Sequence, residues 1–223
     1  MDTLRIVIDV ETIPTQNPLF IEKLDVKCPG NITKADSIEK WTNEKKPGLL
    51  DNALRNTALD STKGELIVLG WAINDDPPQC VYRDYKTESE RDLLEAFYDA
   101  IHVHFTAGYH SQVLWIGHNI LSFDLPFIWH RTKIMGVEPL VKVPYNARPW
   151  SANIFDTKLT WKAHSTASSS LEAICNAIGI PVKEGMHGSE VWDYAQRGEI
   201  QAIADYCMNG DVVGTRSLYN VLR

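Results

Sequence analysis

No two of the four cysteines, Cys28, Cys80, Cys175 and Cys207, stand in a C-x-x-C pair. A zinc ribbon and a disulfide framework are therefore not expected in a chain of 223 residues. Long apolar runs are also missing. The longest, residues 66–73 and 113–116, fall far short of the roughly 20 residues that a bilayer needs. The N-terminus, Met1-Asp2-Thr3-Leu4, has neither a basic stretch nor an apolar signal core. A cytoplasmic protein without membrane contact is the expectation. Positive charge is scarce. Lys and Arg number 22 against 29 Asp and Glu, a net charge of −7. That balance argues against holding nucleic acid by bulk charge and leaves a local site open. The histidines are scattered. His102 and His104, two apart in a predicted helix, point to different faces and make a poor ligand pair. There is no internal repeat and no low-complexity tract.

What is present is a globular composition. At 44% hydrophobic and 23% charged residues, the chain can bury a core and is too apolar for disorder to dominate. Residues 4–10 are rich in β-branched residues and almost wholly apolar before Asp9, which suits a central strand covered on both faces. Pro14 ends it. Residues 15–62 are polar and carry Pro18, Pro29, Gly30, Pro47 and Gly48. They are expected to be an insertion with one or two short helices, for example over 49–58. Both a flap facing a substrate and a mobile loop fit that composition. Strands are predicted over 64–74 and 79–84, separated by Asp75-Asp76-Pro77-Pro78, which makes a meander. Thr87-x-x-Glu90 has capping-box spacing ahead of an apolar face of Leu93, Leu94, Phe97 and Ile101. A fourth strand covers 113–116, and Pro126 suits the first turn of the helix after it. A short strand is expected to end at Asp156. Ser169-x-x-Glu172 opens a helix that Gly179 closes, residues 189–196 form a short helix, and 199–222 form a long final one. The order implies an α/β domain with a mixed sheet, and residues 1–223 are taken as a single domain carrying the insertion at about 15–62.

Three segments put carboxylates at the ends of core elements. Asp9 and Glu11 lie two apart on a strand, so they share a face. Burying such a pair without a partner is costly, although solvated carboxylates at strand ends are common. Asp124 follows the fourth strand in Gly117-His118-Asn119-Ile120-Leu121-Ser122-Phe123-Asp124-Leu125-Pro126. Taken alone, a helix N-cap is the favoured role for it. Asp211 follows Asp205-Tyr206-Cys207-Met208-Asn209-Gly210, where a bent helix with a solvated Asp211 is the plain alternative. Taken together, four carboxylates at element ends point to a hard divalent cation site, Mg2+ or Mn2+ rather than zinc. Two such ions support phosphoryl displacement.

These segments resemble the three motifs of the DEDD superfamily of 3′–5′ exonucleases. The carrying residues are Ile6 to Pro14, Gly117 to Pro126, and Tyr206 to Asp211. The similarity is to the branch of the family B DNA polymerase proofreading domain. The stretch from Gly179-Ile180-Pro181 through Gly188-Ser189-Glu190-Val191-Trp192 resembles the same branch, and the likeness spans nearly the whole chain outside 15–62. The resemblance implies a ribonuclease H-like fold, an α/β mixed β-sheet flanked by helices. It implies two Mg2+ or Mn2+ ions on Asp9, Glu11, Asp124 and Asp211. It implies release of nucleoside monophosphates from the 3′ end of a single strand, with DNA favoured over RNA. Backbone groups at Thr12 and Ile13 are implied to touch the terminal nucleotide. Asn119 is a candidate for contact with the substrate backbone and Phe123 for base stacking, with core packing the alternative for Phe123. Trp150 and Trp161 are expected to be packed, and Asp156 to cap or support rather than ligate.

One feature departs from the pattern. The tyrosine branch has its Tyr four residues before the last Asp, and Cys207 stands there. Tyr206 is five before, the spacing that the histidine branch uses. On a regular helix, four residues pass a full turn by about 40° and five by about 140°. Tyr206 and Asp211 can face one site only across a helix start or a bulge, which Gly210 permits. Tyr206 is nevertheless preferred as the water-orienting group, because a buried thiol hydrogen-bonds weakly. With no room for a polymerase domain, the protein is expected to act alone or be recruited to a replication or repair complex. The alternatives are an exoribonuclease of the same chemistry, a non-catalytic module that binds nucleic-acid ends, and, more remotely, a two-carboxylate glycosidase.

Overall fold

The computed structural model describes residues 2–106, 110–181 and 185–223. Among them, five strands form one sheet in the order β3-β2-β1-β4-β5. The β-branched N-terminal segment is β1 (Asp2–Ile13), the central strand. Strand β2 (Glu65–Ile73) lies antiparallel to it and β3 (Gln79–Tyr82) antiparallel to β2, which gives the expected meander. Strands β4 (His110–Gly117) and β5 (Ile154–Asp156) run parallel to β1 on its other side. The sheet is thus mixed, with helices on both faces.

Alternation along β1 sorts its side chains into two cores. Leu4, Ile6, Ile8 and Val10 meet α4 (Glu90–Thr106) and α5 (Asp124–Ile134) through Leu94, Phe97, Leu125 and Ile128. Val7 and Ile13 meet α8 (Val191–Arg197), α9 (Ile200–Tyr206) and α10 (Val213–Leu222). Asp9 and Glu11 lie in that second set by parity. A β-bulge follows Glu11: Glu11 pairs with Val68 and Thr12 with Leu66, so Ile67 is the extra residue. Ile67 and Val68 consequently both face α8–α10. A smaller cluster joins α7 (Leu171–Ile178) to Leu218 of α10.

The local signals are shifted in places. Ser170, not Ser169, caps α7 by accepting the Ala173 N–H, and Gly179 closes it at φ +74°. The Thr87/Glu90 spacing is not a capping box. Ser89 Oγ accepts the Arg91 N–H instead, and Glu90 turns inward. Its carboxylate takes the Leu66 N–H at 2.8 Å and a two-pronged contact from Arg131 at 2.9 and 2.5 Å. The insertion holds three helices, α1 (Pro18–Ile21), α2 (Ala35–Glu44) and α3 (Lys46–Asn56), more than the composition had indicated. The Thr12 hydroxyl to Ala58 O, the Gln16 N–H to Glu65 Oε1 and the Arg55–Asp193 ion pair tie it to the body. Trp150 is 76% exposed beside Arg148, contrary to the packing expected for it. Trp161 is half-buried against the α7 cluster, as its expected packing requires.

The Glu90–Arg131 pair joins β2, α4 and α5, with both side chains 5% exposed or less. Arg131→Met would strand the Glu90 charge and lower stability by about 3–5 kcal/mol. Urea unfolding followed by circular dichroism measures this. A loss below 1 kcal/mol would show that the pair is replaceable.

Candidate functional site

The C-terminal end of β1 gathers the four carboxylates that the sequence singled out. Glu11 and Asp124 are buried, and Asp9 and Asp211 are half-buried. Pairing of β1 with β4 ends at Val7 opposite Ile116. Beyond it, the Val10 N–H is met by the Asp124 carboxylate, which also accepts its own backbone N–H. Asp124 is therefore bonded to the strand rather than serving as an N-cap, and the cap position belongs to Phe123.

The loop that delivers Asp124 is held by Asp156. This buried carboxylate accepts the N–H groups of Asn119, Leu121, Lys158 and Leu159 at 3.0–3.3 Å. It caps α6 (Thr157–Lys162) and fixes the turn in which Asn119 takes a left-handed φ of +71°. Asp156 thus caps and supports, as expected. His118 bridges Thr157 Oγ1 and Ser169 O, and burial holds its pKa below the ordinary histidine value.

The last segment resolves the spacing problem. Helix α9 runs into a π-helical turn, Cys207–Val212, which passes directly into α10. A π turn takes one residue more per turn than an α turn. It brings positions five apart onto one side, and the Tyr206 hydroxyl donates to the Asp211 carboxylate. The helix is widened there, with no break at Asn209-Gly210. Cys207, the residue at the four-residue spacing, is fully buried. Its thiol donates to Asp9 Oδ2 at 3.2 Å. Gly70, opposite Asp9 on β2, makes room for it, because a Cβ there would stand 2.5 Å from Cys207 Sγ.

Burial dominates the electrostatics. It pushes Asp9 well above the usual carboxylate range, helped by the charges of Asp211, Glu11 and Asp124. Burial and the charges of Asp211 and Asp124 do the same to Glu11. Burial and the neighbouring Asp156 and Asp211 push Asp124 up to about 7, against the pull of the two N–H groups. Burial pushes Asp211 up to about 6, against the pull of the Tyr206 hydroxyl. Each carboxylate thus gains from a proton or a cation. Asp9, Glu11 and Cys207 offer ligand atoms within 4.8 Å of one another. The oxygen donors fit a hard divalent ion. Burial and the adjacent acids keep the Cys207 thiol protonated, so it acts as a hydrogen-bond donor.

The other candidates flank the acids along the chain. The Thr12 hydroxyl is taken by Ala58 O, and Ile13 is fully buried and paired with Glu65. Phe123 is half-buried against Phe127, with ring centroids 5.4 Å apart. Asn119 is half-buried at the turn that Asp156 holds.

Residues 79–223 match the family described as "Predicted 3'-5' exonuclease related to the exonuclease domain of PolB". The chain belongs to this family. The match includes the Asp124 and Tyr206–Asp211 segments and excludes β1 and the insertion. The fold is similar to that of the family B DNA polymerase from the hyperthermophilic archaeon Pyrobaculum calidifontis. The TM-score is 0.62 and the identity 14%, over 100% of this chain and 25% of that one. The chain therefore spans about a quarter of that polymerase's length, and the likeness at this identity is one of fold. No curated protein sequence matches the chain. The likeness accords with the mixed sheet flanked by helices. Among the described residues, no helix is long and apolar enough to cross a membrane.

Carboxylates with raised pKa values stabilise the fold fully below their unfolded values, near 4. That contribution is lost as pH rises through about 6 and 7. In EDTA the melting temperature should fall between pH 5 and pH 8. Excess Mn2+ should raise it more at pH 8 than at pH 5. A melting temperature that rises over this range in EDTA would contradict the repulsion.

Proposed function

We propose that this chain is a divalent-metal-dependent 3′–5′ exonuclease that removes nucleoside monophosphates from single-stranded DNA ends. The observation that carries the reading is the meeting of four carboxylates at the end of β1, with Tyr206 bonded to Asp211 across the π turn. Asp9, Glu11, Asp124 and Asp211 are the residues that would hold two Mg2+ or Mn2+ ions. When bound, such ions stabilise the attacking and the leaving oxygen of a phosphodiester displacement.

The chain's own groups then have distinct tasks. Burial and the nearby acids push the Tyr206 hydroxyl far above its ordinary pKa, so it stays protonated. It donates to Asp211, and its oxygen lone pairs are free to accept a hydrogen bond from a water. Its role is to orient that water, not to take its proton. Asp156 keeps the Asp124 loop in place without ligating. Asn119 and Phe123 are the proposed contacts to the strand, and the backbone at Thr12-Ile13 is the proposed contact to its end. Thr12 and Ile13 contribute no free side-chain group.

The non-catalytic alternative drew its support from the five-residue Tyr–Asp spacing. The π turn removes that support, because Tyr206 and Asp211 are bonded despite it. The exoribonuclease alternative differs only in a contact to the 2′-hydroxyl, so matched DNA and RNA oligonucleotides decide between them.

Asp124→Asn should abolish hydrolysis of a labelled single-stranded oligonucleotide in Mn2+ while leaving the protein folded. Tyr206→Phe should lower kcat about 10²-fold with little change in KM. An Asp124→Asn variant as active as the unsubstituted protein would overturn the site. Cleavage that persists in EDTA would overturn the metal dependence.

A further inference from the structure

Glycine inside a strand weakens it and often marks a place where another group comes close. Gly70 stands within β2, opposite Asp9 of β1. A Cβ there would lie 2.5 Å from Cys207 Sγ and 3.2 Å from Val212 Cγ2. The backbone does not call for glycine at this position, because its φ is not positive. The space is therefore kept for Cys207, the fully buried first residue of the π turn.

That space serves one contact. Cys207 Sγ lies 3.2 Å from Asp9 Oδ2 and 3.7 Å from Asp9 O, and the single thiol proton goes to the nearer oxygen. Asp124 is bonded by backbone N–H groups and Asp211 by the Tyr206 hydroxyl. Among the described residues, the thiol is the one donor bonded to the Asp9 carboxylate. It occupies Oδ2 and leaves Oδ1 without a hydrogen bond. A carboxylate held in this way can meet a cation through one oxygen, not through both. That suits Mg2+ or Mn2+, which take oxygens singly in octahedral geometry. It handicaps Ca2+, which readily takes both oxygens of a carboxylate.

We infer, on the two-ion reading of the acidic cluster, that Cys207 is a positioning residue: its thiol holds Asp9 as a one-oxygen ligand and so favours small octahedral ions over Ca2+. Cys207 itself ligates nothing. Gly70 completes the device by letting the sulfur reach Asp9.

The test is titration of the full chain with Mn2+, followed by electron paramagnetic resonance of the free ion, with Ca2+ as competitor. Cys207→Ala should weaken Mn2+ binding about tenfold, the scale of losing a group that orients a ligand. Ca2+ binding should weaken less, so the preference for Mn2+ falls. Cys207→Ser keeps a donor and should recover most of both. Gly70→Ala displaces the sulfur and should act like Cys207→Ala. In the double variant the new methyl takes the place of the lost sulfur. Its melting temperature without metal should exceed that of either single variant, while Mn2+ binding stays weak. Mn2+ affinity that recovers together with the melting temperature would reduce Cys207 to packing and overturn its positioning role. Unchanged Mn2+ binding and preference in Cys207→Ala overturns it too, as does a folded Cys207→Ser that binds no better than Cys207→Ala. A thiolate charge-transfer band with Co2+ would make Cys207 a ligand and overturn it as well. No Mn2+ binding by the unsubstituted protein overturns the two-ion reading and the role of Cys207 with it. Ion binding that depends on Cys207, without cleavage of any oligonucleotide, keeps that role and overturns the exonuclease reading.

Discussion

Everything near the end of β1 is arranged around four carboxylates that repel one another in a place with little water. Each is pushed above its ordinary pKa, and burial is the largest cause in every case. A fold that keeps such a cluster stores unfavourable electrostatics that a divalent cation would relieve. The surrounding bonds are those that hold acids in place despite the repulsion. Asp124 takes the Val10 N–H, Asp211 takes the Tyr206 hydroxyl and Asp9 takes the Cys207 thiol. The net charge of −7 has to be viewed in this light: part of it is concentrated at this local site.

The π turn is the second device, and it depends on the first. An extra residue between Tyr206 and Asp211 would rotate one of them away on an α-helix. Widening the helix keeps the tyrosine on the aspartate and turns Cys207 inward. That inward sulfur needs space, and Gly70 supplies it. The bulge at Ile67 lies on the neighbouring strand, opposite the Glu11–Thr12 step. The departure from the spacing of the polymerase branch is thus absorbed by the π turn and by the space that Gly70 leaves for Cys207 Sγ.

Much of this was legible in the chain itself. The apolar run before Asp9 marked a doubly covered strand, and Asp9 and Glu11 two apart marked one face. Pro14, Gly179 and Pro126 marked boundaries by the backbone conformations they permit. The Tyr206 spacing was visible as a conflict, and its two possible remedies could be named from helix geometry. Other features needed the third dimension. Glu90 had the spacing of a capping residue, but it is drawn inward by Arg131, 41 positions away. The Asp156 carboxylate serves two separate loops at once. The insertion was recognised by composition, yet its three helices bury few apolar side chains, Trp41 alone among them being buried.

The central claim is that the acidic cluster is a two-ion site. Its most direct measurement is the count of Mn2+ bound per chain at pH 8, by electron paramagnetic resonance of the free ion. The account predicts two ions per chain, with proton release on binding when the pH is lowered to about 6–7, where Asp124 and Asp211 are partly protonated. It also predicts weaker binding in Asp124→Asn. Absence of binding, or binding that Asp124→Asn leaves unchanged, would contradict it.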